Sequence, residues 1–325
     1  MPGLLAWLRW GDYRFVCHLC GDVCGWPAAD GYCWYCQGCK RRISPTAGTI
    51  FHRTRTPLTV WFEAAWQVTT QNYGASALGL QRVLDMGSYQ TAWTMLHKFR
   101  VAMVDPNRSP LTGLVEADEV FVGGKRKAGK KGRAPKDFVS IVATFVERRQ
   151  PRGFGRTRLV CVENASATEL EAALRVCVDP SAKLITDAWS SWAVAASRFG
   201  IEHDRHSVSA SGAPAHVTLP AVSRVAAQLK RWLSGTLQGA VSPEHLRAYL
   251  NEFEFRWNRR RARAKGQLFY RLLSQAVQTP NVPYADLVAQ PRPRKEDPTP
   301  PSAVGRGVTP TLAQPDAGRP WRRAA

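Results

Sequence analysis

An α/β fold with a mixed sheet is what this 325-residue sequence predicts for its central part, and three patterns carry the prediction. Residues 114–122, 138–146 and 158–162 are three successive runs rich in Val, Phe and Ile, the composition of strands. Helix-like and strand-like runs alternate after them, the order that builds an α/β domain. Ahead of the sheet, six of the eight cysteines crowd between Cys17 and Cys39 and mark a separate small module. Charge narrows the classes of partner. Forty-five Lys and Arg against 25 Asp and Glu leave a formal charge of +20, which fits a polyanion such as nucleic acid because neutralised phosphates release counterions. No run of eighteen apolar residues exists, which excludes a membrane-spanning helix, and the apolar stretch from Leu4 to Leu8 is too short for an export signal. The expected location is inside the cell, in the cytoplasm and associated with the nucleoid.

Residues 1–50 carry the cysteine module. Cys17-His-Leu-Cys20 and Cys36-Gln-Gly-Cys39 are two C-x-x-C knuckles fifteen residues apart, the spacing at which two tight turns bring four thiolates onto one tetrahedral zinc ion. Cys24 and Cys33 lie in the same segment and compete as ligands. A disulfide framework is the alternative, disfavoured in a chain without an export signal. Four thiolates leave no open coordination position, so this zinc is structural. Lys40, Arg41 and Arg42 follow and give the ribbon a cationic edge.

Residues 57–104 read as helical. The first helix, 57–70, buries Trp61, Phe62, Ala65 and Trp66. A second, 76–84, turns at Asp85-Met86-Gly87 into a third, capped by Ser88, in which Ala92, Leu96, Phe99 and Met103 recur at helical spacing. Gln90, Thr91, Thr94 and Lys98 are left facing outward, residue types that contact phosphates and base edges, so the segment reads as a helix-turn-helix.

The core spans 112–275. On its first strand, alternation puts Glu116 and Asp118 on one face and Glu119 on the other. A helix over 167–176 leads to a short strand, 183–185, that ends at Thr186-Asp187; a helix near 190–197 and two long ones, 221–233 and 243–259, complete the pattern. Two carboxylates at adjacent strand positions suit magnesium, whose octahedral sphere prefers oxygen, and a pair of such ions supports phosphoryl transfer. Between the first two strands lies a loop carrying Lys125, Arg126, Lys127, Lys130, Lys131 and Arg133, which contacts phosphate beside that site; Arg256, Arg259, Arg260, Arg261 and Arg263 form a second basic patch. Residues 279–325 hold ten of the 22 prolines and read as a disordered basic tail.

From Cys17 to Tyr270 the sequence resembles the insertion-sequence transposases of the ISXO-like type, the IS fifteen-ninety-five family. The resemblance is carried by Thr46-Ala-Gly-Thr-Ile-Phe-His52, Gly87-Ser-Tyr-Gln-Thr-Ala-Trp93 with His97-Lys98, Gly113-Leu-Val-Glu-Ala-Asp118-Glu119 with Phe121-Val-Gly-Gly124, Thr186-Asp187-Ala-Trp189, Leu229-Lys-Arg-Trp-Leu233 with Gly235-Thr236, and Glu252-Phe-Glu-Phe-Arg-Trp-Asn-Arg-Arg260. It implies a zinc ribbon and helix-turn-helix that bind terminal inverted repeats, joined to an RNase-H-like DDE-type core that cuts the element's ends and joins them to target DNA with magnesium or manganese. Asp118 is then the first metal ligand, Asp187 the second, and Lys230 the lysine seven positions after the third catalytic residue. That third position, where the family has Glu, Asn or His, is Ser223 here. Three explanations stand open: a decayed copy that only binds DNA, a ligand from elsewhere such as His216, or a two-carboxylate site that works weakly. A plain nuclease acting on RNA–DNA hybrids is a further alternative, and the ribbon and helix-turn-helix argue against it. Transposition holds two ends together, so a homodimer or larger assembly on DNA is expected.

Overall fold

Five strands form the central sheet of the computed structural model: β4 (Leu114–Val122), β5 (Ser140–Arg148), β6 (Phe154–Val162), β7 (Lys183–Asp187) and β8 (Glu202–His206), following the short ribbon strands β1 to β3 described below. Their order is β6-β5-β4-β7-β8. β4, β5 and β6 are antiparallel neighbours, whereas β7 and β8 run parallel to β4. This is the mixed sheet expected of an RNase-H-like core. The structure describes residues 2–11, 15–123, 140–149, 153–206, 215–238 and 241–288, all within one compact unit, Met1–Arg292.

Alternation along β4 feeds two cores. Val115 and Ala117 pack with Leu170, Leu174 and Trp192 from helices α5 (Ala167–Cys177) and α6 (Ser190–Phe199) on one face. On the other face, Val120 and Val122 pack with Val222, Val225, Leu229 and Phe253 from α8 (Pro220–Thr236) and α9 (Pro243–Asn258), which follow the short α7 (Ala215–Thr218). Gly200 ends α6 in the left-handed region at φ 77°, where a Cβ would be strained. The strand β8, Glu-His-Asp-Arg-His, has no apolar alternation and is not foreseen from the sequence.

A third core joins the helical segment. It combines α2 (Leu58–Thr70), α3 (Ala77–Val83) and α4 (Tyr89–Ala102) with Leu5 from α1 (Pro2–Trp10) and with Leu272, Leu273 and Ala276 from α10 (Lys265–Ala276). α10 therefore packs on the helical segment, although sequence places it inside the 112–275 region. Ala92, Leu96, Phe99 and Met103 are buried as their spacing demands. Trp66 is not: it is 46% exposed and meets only the edge of Phe269. Ser88 occupies the N-cap position of α4 without a side-chain cap bond, whereas Ser76 does cap α3 through the Gly79 N–H.

The ribbon is a three-stranded antiparallel sheet of β1 (Gly25–Pro27), β2 (Trp34–Cys36) and β3 (Arg42–Ile43). Trp10 at the end of α1 plugs it, with Phe15 stacked on Trp34 at 5.4 Å. The first residues of the segment that composition reads as a disordered tail are ordered. Pro280 bridges to Thr49, and α11 (Tyr284–Val288) buries Leu287; residues 289–325 lie outside the described ones.

α9 is the spine between the two parts, and its motif explains how. Glu252 forms a buried ion pair with Arg100 of α4 at 2.9 Å. Arg256 donates to the carbonyls of Val68, Gln71 and Asn72, which are orphaned at the end of α2. On its other side α9 covers β6, the edge strand of the sheet. Glu254 accepts from the Leu159 N–H and pairs with Arg158 and Arg108. The Asn258 amide accepts from the Thr157 N–H at 2.7 Å and donates to its carbonyl at 3.1 Å, standing in for a neighbouring strand. Trp257 and Arg260 donate to the Gly155 carbonyl. On α8, Trp232 and Thr236 both donate to the carbonyl of Tyr73 and pin the loop after α2.

Candidate functional site

The register of the two parallel strands decides where the carboxylates stand. Glu116 pairs with Ile185 at the last rung of the ladder between these strands, and Asp118 and Asp187 each stand two residues beyond it. The proximity is felt electrostatically. Burial and then the Asp187 charge push the Asp118 carboxyl up to about 6, while the Glu119 backbone N–H and the Lys230 ammonium pull the other way. Asp187 sits at the end of β7 and accepts the Trp189 N–H at 3.1 Å, which turns the chain into α6. Two carboxylates near each other in half-buried positions, with one lysine near, form an anionic site with too little neutralising charge, which a divalent cation would supply.

The neighbouring acids have other work. Glu116 shares the face of Asp118 but is fully buried, accepting the backbone N–H groups of Ala221 and Val222 at 2.7 and 3.0 Å, with Arg148 at 3.1 Å. It anchors the first turn of α8 by satisfying two of the orphan donors there. Glu119 turns to the opposite face. Burial and then the Asp118 charge push it up to about 7, and the nearby Trp192 indole pulls the other way. Its Oε1 and the Trp192 indole nitrogen are both buried, and neither completes a full hydrogen bond among the described residues. A Glu directly after Asp118 is visible in the sequence, but its neighbour Trp192 is brought there only by the fold.

On α8, Ser223 is half-buried and lines a surface cavity with Pro220, Arg224 and Ala227. Lys230 is exposed, yet its charge reaches Asp118. The side chain of His216 and the loop residues Lys125, Arg126, Lys127, Lys130, Lys131 and Arg133 lie outside the described residues.

In the ribbon, the sulfurs of Cys17, Cys20, Cys36 and Cys39 lie within 4.8 Å of one another. Cys17 and Cys39 are 3.7 Å apart, Cys20 and Cys36 3.5 Å. Zn–S bonds of about 2.3 Å in a tetrahedron demand a separation near 3.8 Å, so these four thiols fit zinc. Cys24 and Cys33 stand outside the cluster: Cys24 is exposed, and the Cys33 backbone N–H donates to Asp30.

The outward face of α4 is partly redirected. Gln90 and Thr91 are exposed, and the Thr94 hydroxyl donates to the Gln90 carbonyl at 2.7 Å. Lys98 turns inward, against the sequence expectation. Its ammonium donates to the Ile50 carbonyl at 3.1 Å and to Asn281 at 3.2 Å, tying α4 to both the ribbon junction and the C-terminal segment. The second basic patch is likewise largely committed. Arg256 and Arg260 cap carbonyls, and Arg259 lies over the Phe255 ring at 4.2 Å.

Residues 110–258 match the family model of the ISXO2-like transposase domain. No curated protein matches the chain. Among solved structures, a chain in the cryoEM structure of a simian T-cell lymphotropic virus intasome in complex with PP2A regulatory subunit B56 gamma is similar over 74% of this chain and 80% of that one, at 11% identity and a TM-score of 0.28. At that score the likeness carries no argument. Among the described residues no helix is long and apolar enough to cross a membrane.

Proposed function

Residues 110–258 are an ISXO2-like transposase domain, and from that premise we propose that this protein binds the terminal inverted repeats of an insertion sequence and cuts and joins DNA at Asp118 and Asp187. The observation that carries the reading is the pair itself, two carboxylates just past the last paired rung of adjacent parallel strands, with Asp118 held up to about 6 by burial and by its neighbour. Magnesium or manganese bound there would activate the attacking oxygen and stabilise the leaving one. The chain's own residues do the rest. Asp118 and Asp187 would hold the cation. Glu116 sets the position of α8, and Lys230 lends a positive charge where phosphate accumulates. The ribbon, with zinc on Cys17, Cys20, Cys36 and Cys39, and α4, through the exposed Gln90 and Thr91 and the half-buried Thr94, read the repeat. Two copies or more hold both ends, in the cytoplasm at the nucleoid.

A second reading has one observation in its favour. The position on α8 that the family fills with Glu, Asn or His is Ser223, a weaker metal ligand than an acid. On that reading the chain is a remnant that binds repeats without cutting. Strand transfer of a labelled oligonucleotide from the element's end into plasmid separates the two, with the wild-type chain beside Asp118→Ala and Ser223→His. Joining by wild type that Asp118→Ala abolishes supports the enzyme. Joining only by Ser223→His identifies a disabled copy, and a gel shift without joining in all three supports binding alone.

A further inference from the structure

α8 carries two polar stripes side by side. Ser223 and Lys230, seven residues apart, lie on one; Arg224, Gln228 and Arg231, at i, i+4 and i+7, lie on the next. Arg224 and Gln228 of the second stripe, with Ser223 of the first, line a cavity of about 640 Å³ that also takes in Arg260 and Arg261. Through Gln228, Trp257 and Arg260 this cavity adjoins another of about 370 Å³, lined by Arg231 and Lys265. Among the described residues no Asp or Glu lines either cavity. Arg224, Arg231, Arg261 and Lys265 are exposed, and none pairs with an acid among the described residues.

Such a groove concentrates positive charge where the fold does not use it. Arg256 and Arg260 are occupied with backbone carbonyls, so their charges add to the field while their donors are spent. Trp257 offers no open ring to a base: Arg260 covers one face at 4.1 Å and Phe253 stacks at 6.1 Å. The chemistry that remains is recognition of phosphate without reading of bases. Arg224 and Arg231 are about 10 Å apart along the helix axis, roughly three base steps of a DNA strand.

We propose that this groove is the track of one DNA strand's phosphate backbone, running along α8 beside the stripe whose Lys230 acts on Asp118. The inference rests on the DNA-cutting reading above and adds where the strand lies. It is tested by fluorescence anisotropy of the zinc-loaded full chain with a labelled random-sequence 30-base-pair duplex at several salt concentrations. Each phosphate that the protein no longer neutralises lowers the slope of log affinity against log salt by about 0.9. Arg224→Ala with Arg231→Ala is expected to lower it by about 2 and to weaken binding at least tenfold at low salt. Arg224→Lys with Arg231→Lys keeps the charge and the slope. Arg175→Ala with Arg198→Ala makes the same charge change on the helices across the sheet and leaves the slope nearly unaltered. A groove variant whose slope equals that of wild type, or of the Arg175/Arg198 control, overturns the track; if Asp118→Ala still abolishes joining, the enzyme reading survives it. A wild-type chain that holds no DNA at any salt overturns both.

Discussion

Removing the charge of Asp118 should make the metal-free protein more stable. In the fold its carboxyl is held up to about 6 by burial and by Asp187, against 3.8 for the unperturbed group. The native state therefore favours the proton-bound form. Stability from this group is fully present below about pH 4 and is lost as pH rises through about 6. Two units at 1.36 kcal/mol each put the loss at about 3 kcal/mol above pH 7. Asp118→Asn cannot ionise, so at pH 8 it should exceed wild type by that order, a shift of several degrees in Tm, and at pH 4 the two should melt together. Magnesium closes most of that gap, because it binds the folded wild type and stabilises it by mass action while the variant has lost a ligand. The assay is thermal melting of the zinc-loaded chain in metal-depleted buffer without chelator, at both pH values, with and without 10 mM magnesium (a concentration of roughly 100 Kd would add about 2.7 kcal/mol). A variant no more stable than wild type at pH 8, or an equal magnesium shift in both, would refute the reasoning.

Three further outcomes are expected. Cobalt bound to the ribbon should give the absorption of a tetrahedral thiolate site that Cys36→Ser abolishes and Cys24→Ser leaves intact, since Cys24 is exposed outside the cluster. Glu254→Ala strands the buried Arg158 guanidinium and should cost about 3–5 kcal/mol in denaturant unfolding; a loss below about 1 kcal/mol would mean that water reaches the pair. Glu116→Ala leaves two buried N–H groups without an acceptor, each worth about 1–3 kcal/mol, so the Ala221 and Val222 amides should exchange faster with solvent, and unaltered exchange there would remove its anchoring role.

The parts of this fold legible in the sequence are those where one periodicity acts alone. The first sheet strand alternates apolar residues with acids, and α4 repeats Ala92, Leu96, Phe99 and Met103 on one side, so local pattern and burial agree. β8 fails that test because it is an edge strand of five polar residues, paired through its backbone to β7. Lys98 and Arg256 fail it for another reason. Their spacing on a helix is that of solvated cations, and their acceptors, the Ile50 carbonyl and the carbonyls ending α2, are far away in sequence. Residue type foretells charge in these cases but not destination. The thiol cluster is legible in the sequence but its quartet is not, because Cys24 and Cys33 compete on spacing and only the fold sets them outside Cys17, Cys20, Cys36 and Cys39.

The serine at position 223 stands in a frame that is otherwise complete. Glu116 holds the first turn of α8, Lys230 acts on Asp118 one face below, and Trp232 with Thr236 fastens the same helix to the loop at Tyr73. Ser223→His is therefore expected to need no repacking and to leave the stability within about 1 kcal/mol of wild type, as a change at a half-buried surface position should. Its effect on joining then reports on the metal site alone. A Ser223→His chain that unfolds would show that the pocket at α8 has closed around the serine, and that the catalytic corner was rebuilt rather than merely emptied.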